Sequence, residues 1–217
     1  MIRKGILLFA LVCTCVSAKA FQLSILKQQP ALTSHNWTLE DGLPVNTVGN
    51  ITQDSLGYLW ISTYDGLVRF DGLEFNTYSY SNTPEMPHNR NTLLYLQDKG
   101  RMWVSLEYGG VLLKENGDFR HFGDQTNFTD SGITQIFESS DGRMFFITHS
   151  GLYVFDGEKF AKFYDSDKPG QNQIRDIFED SDKSIWIATN NGLLQFNPTG
   201  DLLAEYHKSP VQQNNRF

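Results

Sequence analysis

One feature constrains this chain more than any other: it repeats itself about every 42 residues. Trp60, Trp103, Phe145 and Trp186 head four similar segments, spaced 43, 42 and 41 residues apart. They read Trp-Ile-Ser-Thr-Tyr-Asp-Gly-Leu, Trp-Val-Ser-Leu-Glu-Tyr-Gly-Gly-Val, Phe-Phe-Ile-Thr-His-Ser-Gly-Leu and Trp-Ile-Ala-Thr-Asn-Asn-Gly-Leu. Gly66, Gly151 and Gly192 keep one distance from the leading aromatic, and Gly110 follows one residue later because the second copy carries an extra glycine. Upstream, Val48 and Ile51, Ile133 and Ile136, and Ile174 and Ile177 hold a common offset before an acidic or polar turn. Downstream, Gly72, Phe75 and Tyr78 match Gly157, Phe160 and Phe163, and again Gly200, Leu203 and Tyr206. Gly117, Phe119 and Phe122 differ by one residue.

Each unit holds three or four short runs separated by turn signals. In the first, the runs are 48–53, 58–64, 67–70 and 74–78. Asp65-Gly66, Asp71-Gly72, Asn116-Gly117, Asp156-Gly157 and Asn191-Gly192 are hairpin signals, because these pairs accept positive φ at tight turns. The runs are rich in Ile, Val, Phe, Tyr, Trp and Thr, which favours strand, and no segment sustains a helical period. The reading is all-β: four four-stranded antiparallel units. Trp60 faces one side of its strand while Leu59 and Ile61 face the other, so both sheet faces are bulky and each must be covered. Sheets of this kind stack face to face, and a ring of them is a β-propeller; a twisted β-sandwich or a linear β-solenoid is the rival.

The expected blades are about 44–80, 87–123, 130–165 and 171–207, with the start of a fifth at 215–217. The expectation is therefore the N-terminal part of a larger ring. Residues 21–43 are either a packing arm or a strand that closes the ring. A missing neighbour would leave an apolar sheet face bare, and such a chain would aggregate or touch a second copy.

Residues 1–20 have the form of an export signal. Arg3 and Lys4 precede an apolar stretch from Ile6 to Val16, and Ala18 and Ala20 supply small residues for cleavage. The stretch is shorter than the roughly 20 residues that span a bilayer. Cys13 and Cys15, the two cysteines of the chain, both lie in this signal, and neither follows the small residue that lipidation requires. The folded part then has no disulfide, no thiolate metal site and no cysteine nucleophile. With 18 Lys and Arg against 25 Asp and Glu, the net charge is −7, and no basic stripe offers a nucleic-acid surface.

Asp41-Gly42-Leu43-Pro44, Val48, Ile51, Asp54, Gly57, Leu59-Trp60-Ile61 and Gly66-Leu67 together resemble the two-component regulator propeller repeat. Phe155-Asp156-Gly157 and Ile185-Trp186-Ile187-Ala188-Thr189 carry the same resemblance, and His35 to Pro44 looks like the start of these sensors. The resemblance implies an exported, periplasmic input domain of a bacterial membrane receptor, with rings of about seven blades. It also implies a following β-sandwich, one transmembrane helix, and a histidine kinase or diguanylate cyclase output. A small ligand, carbohydrate in some members, and a homodimer are the implied partners. No ligand motif transfers, and no cofactor is implied.

Local chemistry is sparse. Asp98-Lys99-Gly100-Arg101-Met102-Trp103 has part of the spacing of an Asp-box turn, which leaves an exported carbohydrate-active propeller, glycosidase or lyase, as the alternative. The flanking residues do not fit that motif, and a turn Asp can simply accept backbone N–H groups. Acidic residues fall in turns rather than as a catalytic pair. Asp180-Ser181-Asp182 lacks the rest of a calcium loop. His35, His88, His121, His149 and His207 show no metal-ligand spacing, so neither a catalytic nor a metal residue is assigned. One position varies while the scaffold repeats: Tyr64, Glu107, His149 and Asn190 each stand four residues after the leading aromatic. Such variation is what a site grafted on a fold looks like. Tyr64, Tyr108, His149 and Asn190 are the candidate ligand contacts. A purely structural or protein-binding propeller is the third possibility.

Overall fold

The computed structural model describes residues 33–97, 100–123, 126, 128, 132–165 and 173–207. The expected export signal and the expected fifth strand lie outside them. The strands fall into four groups of four. The first sheet has β1 (Val48–Gln53), β2 (Leu59–Thr63), β3 (Gly66–Phe70) and β4 (Phe75–Tyr78). The second has β5 (Asn91–Leu96), β6 (Met102–Leu106), β7 (Val111–Glu115) and β8 (Asp118–Phe122). The third has β9 (Gln135–Glu138), β10 (Met144–Ile147), β11 (Gly151–Phe155) and β12 (Phe160–Asp165). The fourth has β13 (Ile174–Glu179), β14 (Ile185–Thr189), β15 (Gly192–Phe196) and β16 (Leu202–His207). Each is a separate antiparallel sheet whose strands pair in chain order. The run expected at 48–53 is β1 itself, and the other three runs of that unit differ from their strands by a residue or two at the ends.

Alternation across the strands builds the stacking. Trp60 and Leu67 leave the first sheet toward the second and pack on Met102, Val104 and Leu112. Trp103, Val111 and Leu113 leave the second sheet toward the third and pack on Met144, Phe146 and Phe155. Phe145, Ile147 and Leu152 leave the third toward the fourth and meet Ile177, Ile185 and Ile187. The leading aromatic of each of the first three repeats thus looks to the following sheet, and the residue after the leading aromatic of the second, third and fourth looks back to the preceding one. Fully burying each such side chain contributes about 1.5–3 kcal/mol. The seam between the second and third sheets is the most aromatic: fully buried Trp103 has Phe146, Phe155 and Phe122 at ring distances of 5.0, 5.1 and 5.8 Å. These are the form and stacking of propeller blades.

The two outermost faces differ. The rear face of the first sheet, with Ile61, Val68 and Phe70, is buried. Trp37 meets Phe70 edge-on at 5.2 Å there. Trp37 precedes a short 3-10 turn, Leu39–Asp41, capped by Thr38 and ended by Gly42. On the fourth sheet, Trp186 stacks on Tyr206 at 5.7 Å, as Trp60 stacks on Tyr78 at 5.7 Å. Here, however, Phe178, Leu193 and Tyr206 are 62%, 43% and 50% exposed, while Leu67 and Leu152, the counterparts of Leu193, are fully buried. Among the described residues nothing covers this face.

The repeated glycine has a steric cause. A Cβ on Gly110 would lie 1.9 Å from the carbonyl oxygen of Phe122, and one on Gly192 would lie 1.9 Å from that of Tyr206. The outer strand's backbone passes where a side chain would begin, which holds its rim aromatic in register.

Candidate functional site

Up-and-down topology gives each sheet two ends. One carries the hairpin between its second and third strands and the exit to the next sheet. The other carries the two remaining turns. All four candidate contacts stand on the first, or hairpin, end.

A threonine shapes three of these hairpins. The Thr63 hydroxyl donates to the carbonyl of Gly66 at 2.7 Å and accepts from the N–H of Asp65. Thr148 and Thr189 repeat this with Gly151 and Gly192, each at 3.1 Å. Closing the turn on the hydroxyl leaves the next residue, Tyr64, His149 or Asn190, projecting and exposed. The second hairpin has Leu106 in place of the threonine and one residue more. Two imidazoles hold it instead: His88 Nε2 donates to the carbonyl of Tyr108, and His121 Nε2 donates to that of Gly109 at 2.6 Å. His88 Nδ1 also accepts the N–H of Arg90, so the neutral Nε2–H tautomer fits both contacts.

The structure joins the first two hairpins into one network. The Arg90 guanidinium lies 4.9 Å over the Tyr64 ring and donates to Glu107 Oε2 at 2.7 Å. The hydrogen bond to Glu107 raises the Arg90 pKa above its ordinary value. Tyr108 meets the His88 ring at 5.9 Å, and Asn89 Nδ2 donates to Asp65 at 2.8 Å. Tyr64, against Arg90, and Tyr108, against His88, are 41% and 57% exposed. On the fourth sheet Arg175 Nε donates to the side-chain oxygen of Asn190 at 2.7 Å. The third hairpin places the His149 ring against Gly132, where an added Cβ would come within 2.4 Å. Arg90, His88 and Arg175 are participants that the sequence pattern did not single out. They lie on or before the inner strand and reach the hairpin only through the fold.

The acidic turns at the other end are structural, as their spacing suggested. Asp54 Oδ1 accepts the N–H groups of Leu56 and Tyr58, and its Oδ2 accepts the Trp60 indole N–H at 2.8 Å. Asp180 does the same for Asp182, Ser184 and Trp186. The Trp186 hydrogen bond is the chief cause that lowers the Asp180 pKa. Asp71 and Asp156 are lowered by backbone N–H groups, first those of Glu74 and Lys159. Among the described residues no three His, Cys, Asp or Glu side chains come together as a metal site.

Comparison with known proteins agrees with this architecture. The family model described as "Two component regulator propeller" matches residues 42–65 and 168–191. Histidine kinase P4 of Formosa agariphila is 40% identical over 63 residues, which are 29% of this chain and 4% of that protein. The extracellular domain of a B. thetaiotaomicron protein assigned to the hybrid two component systems superposes with a TM-score of 0.59 at 25% identity. That match covers 74% of this chain and 23% of the other, so the chain spans about a quarter of the solved relative. The virginiamycin B lyase of Staphylococcus aureus, at 15% identity, shares the fold, with a TM-score of 0.57 over 77% of this chain and 59% of its own. With its repeats, its sheets and these matches in agreement, the chain carries the two-component regulator propeller repeat at residues 42–65 and 168–191, and its four sheets have the blade form of the extracellular domains of two-component-system proteins.

Proposed function

We propose that this chain supplies ligand-binding blades to the extracytoplasmic sensor of a bacterial membrane receptor, and that it performs no chemistry itself. The output enzyme lies elsewhere in the receptor, behind a β-sandwich and one transmembrane helix in the inner membrane. A histidine kinase is favoured over a diguanylate cyclase by the identity to Histidine kinase P4. The observation that carries the reading is the hairpin end. The scaffold there repeats, while the projecting side chains change from Tyr64 to Glu107 and Tyr108, to His149 and to Asn190. The Tyr64–Arg90–Glu107 bridge joins neighbouring blades, so a ligand held by it also bears on blade geometry. Signalling follows when the ligand binds one arrangement better than the other.

A panel of mono- and oligosaccharides, screened by thermal shift on the full chain, tests this reading. A sugar that raises the midpoint should lose affinity with Tyr64→Ala, Tyr108→Ala and His149→Ala. Unchanged affinity in all three variants removes the hairpin end as the site.

A further inference from the structure

A cleft lies at the turn end of the sheets, opposite the hairpin end, and nothing in the sensor reading depends on it. Two residues before the leading aromatic, the four repeats carry Tyr58, Arg101, Arg143 and Ser184. Only the second and third have arginine, and both line one cleft of about 180 Å³ between those two sheets. Asp141, Met144, Phe155 and Asp156 complete the part of the lining that matters here.

The donors and acceptors of this cleft are unequal. Asp141 Oδ1 accepts from the Ser139 hydroxyl at 2.6 Å and the Arg143 N–H at 3.2 Å, and Oδ2 accepts from Arg143 Nε at 2.8 Å. Partial burial opposes ionisation of Asp141, but these hydrogen bonds and the Arg143 charge keep its pKa below the usual value. Asp156 Oδ1 accepts two N–H groups of its own turn, from Glu158 and Lys159. Most carboxylate acceptors are thus engaged locally. The guanidinium donors are engaged only in part, each arginine pairing one nitrogen with a carboxylate. Arg143 uses its Nε on Asp141 and lies 5.4 Å over the Phe145 ring, and its terminal amino groups make no hydrogen bond among the described residues. Arg101 Nε is buried with no hydrogen-bond acceptor among the described residues; Glu115 Oε1 is 3.1 Å away, but off the N–H axis. A buried donor without an acceptor is rare in folded proteins and marks a place where another group completes the bond. Two guanidinium forks match a planar carboxylate, which takes paired N–H bonds.

We infer that the cleft between the second and third sheets, framed by Arg101 and Arg143, binds the carboxylate of a small organic acid. The net charge of −7 opposes any anion at long range, so the affinity comes from the short-range fork and is best read at fixed ionic strength.

The test is a titration of the ¹⁵N-labelled full chain with sodium propionate and, separately, with sodium sulfate, with sodium chloride holding the ionic strength. Propionate should give saturable shifts at the Arg101 and Arg143 Nε–H signals and at the amides of 141–144. Arg101→Gln and Arg143→Gln should each weaken binding at least about tenfold, about 1.4 kcal/mol. If Arg101→Gln does not fold, Arg143→Gln carries the comparison. Absence of saturable shifts in both titrations overturns the site. Affinity unchanged in a folded variant overturns the arginine assignment. Sulfate binding more tightly than propionate at the same residues overturns the carboxylate assignment.

Discussion

Replacing Gly110 by alanine should be far more damaging than replacing Gly117, although the two sit in neighbouring turns with φ of +99° and +98°. Both variants force an L-residue into the left-handed region, at about 1–2 kcal/mol. At Gly117 nothing lies within 4 Å of the new Cβ, so strain is the whole native-state cost. Loss of unfolded-chain entropy offsets about 0.4–1 kcal/mol of it. At Gly110 the Cβ would lie 1.9 Å from the Phe122 carbonyl oxygen, so β8 must move away from β7. That movement breaks the Val111–Phe122 pairing, at about 1 kcal/mol per hydrogen bond. It also draws fully buried Phe122 out of the Trp103 cluster, losing part of the roughly 1.5–3 kcal/mol of its burial. The expected losses are about 1 kcal/mol for Gly117→Ala and about 4–6 kcal/mol for Gly110→Ala, by sums of these same terms. Urea unfolding followed by tryptophan fluorescence reads both. Equal losses would show that positive φ alone selects the repeated glycine and would refute the close-approach explanation.

Further expectations follow from the same geometry. Trp103→Ala, which empties the seam between the second and third sheets, should cost about 3–5 kcal/mol, measured by urea unfolding, and a loss below about 1 kcal/mol would disprove that seam. Asp180→Ala should lower the thermal midpoint more than Asp182→Ala, because only Asp180 accepts the Trp186 indole N–H; equal midpoints count against it. Asp71, Asp156 and Asp180 have folded pKa values below the unfolded value of about 3.9. Their contribution is therefore complete above about pH 5 and is lost as pH falls through the lowered folded values. A thermal midpoint that stays flat from pH 7 to pH 2.5, measured by calorimetry, would contradict this.

Much of the fold was legible because its elements are local. Alternation, Asx-Gly turns and a repeating glycine fixed β1 to its end residues, and the turn acids were read as turn acids. A readable signal was nevertheless missed. Asp54 and Trp60, Gln97 and Trp103, and Asp180 and Trp186 share one spacing, and in each pair the side chain accepts the indole N–H. Where the third repeat has Phe145, which has no N–H to offer, Ser139 takes the acceptor's place and bonds within its own turn. The candidate contacts were found by their variability alone. What holds them was not: Arg90 is 26 residues from Tyr64, and His88 reaches Tyr108 across a whole hairpin. No local period encodes those distances, because they depend on where one sheet's exit meets the next sheet's turn.

The two ends of the sheets therefore divide their polar groups differently. At the turn end, carboxylates are occupied by N–H groups of the same turn, which makes the repeated acids part of the scaffold. At the hairpin end, a threonine closes the turn and frees the next residue, so chemistry can change from blade to blade without disturbing a strand. The turn end acquires available polar groups only where a repeat departs from its neighbours, and Arg101 and Arg143 are such departures, stacked by the fold onto one seam. In a chain whose units are copies, the residues free to recognise anything are those that differ between copies and are not already bonded to their own turn. Tyr64, Tyr108 and His149 meet the first condition on exposed hairpins, and Arg101 and Arg143 differ from their counterparts in the first and fourth repeats, with Arg143 spending only its Nε and backbone N–H on its own turn.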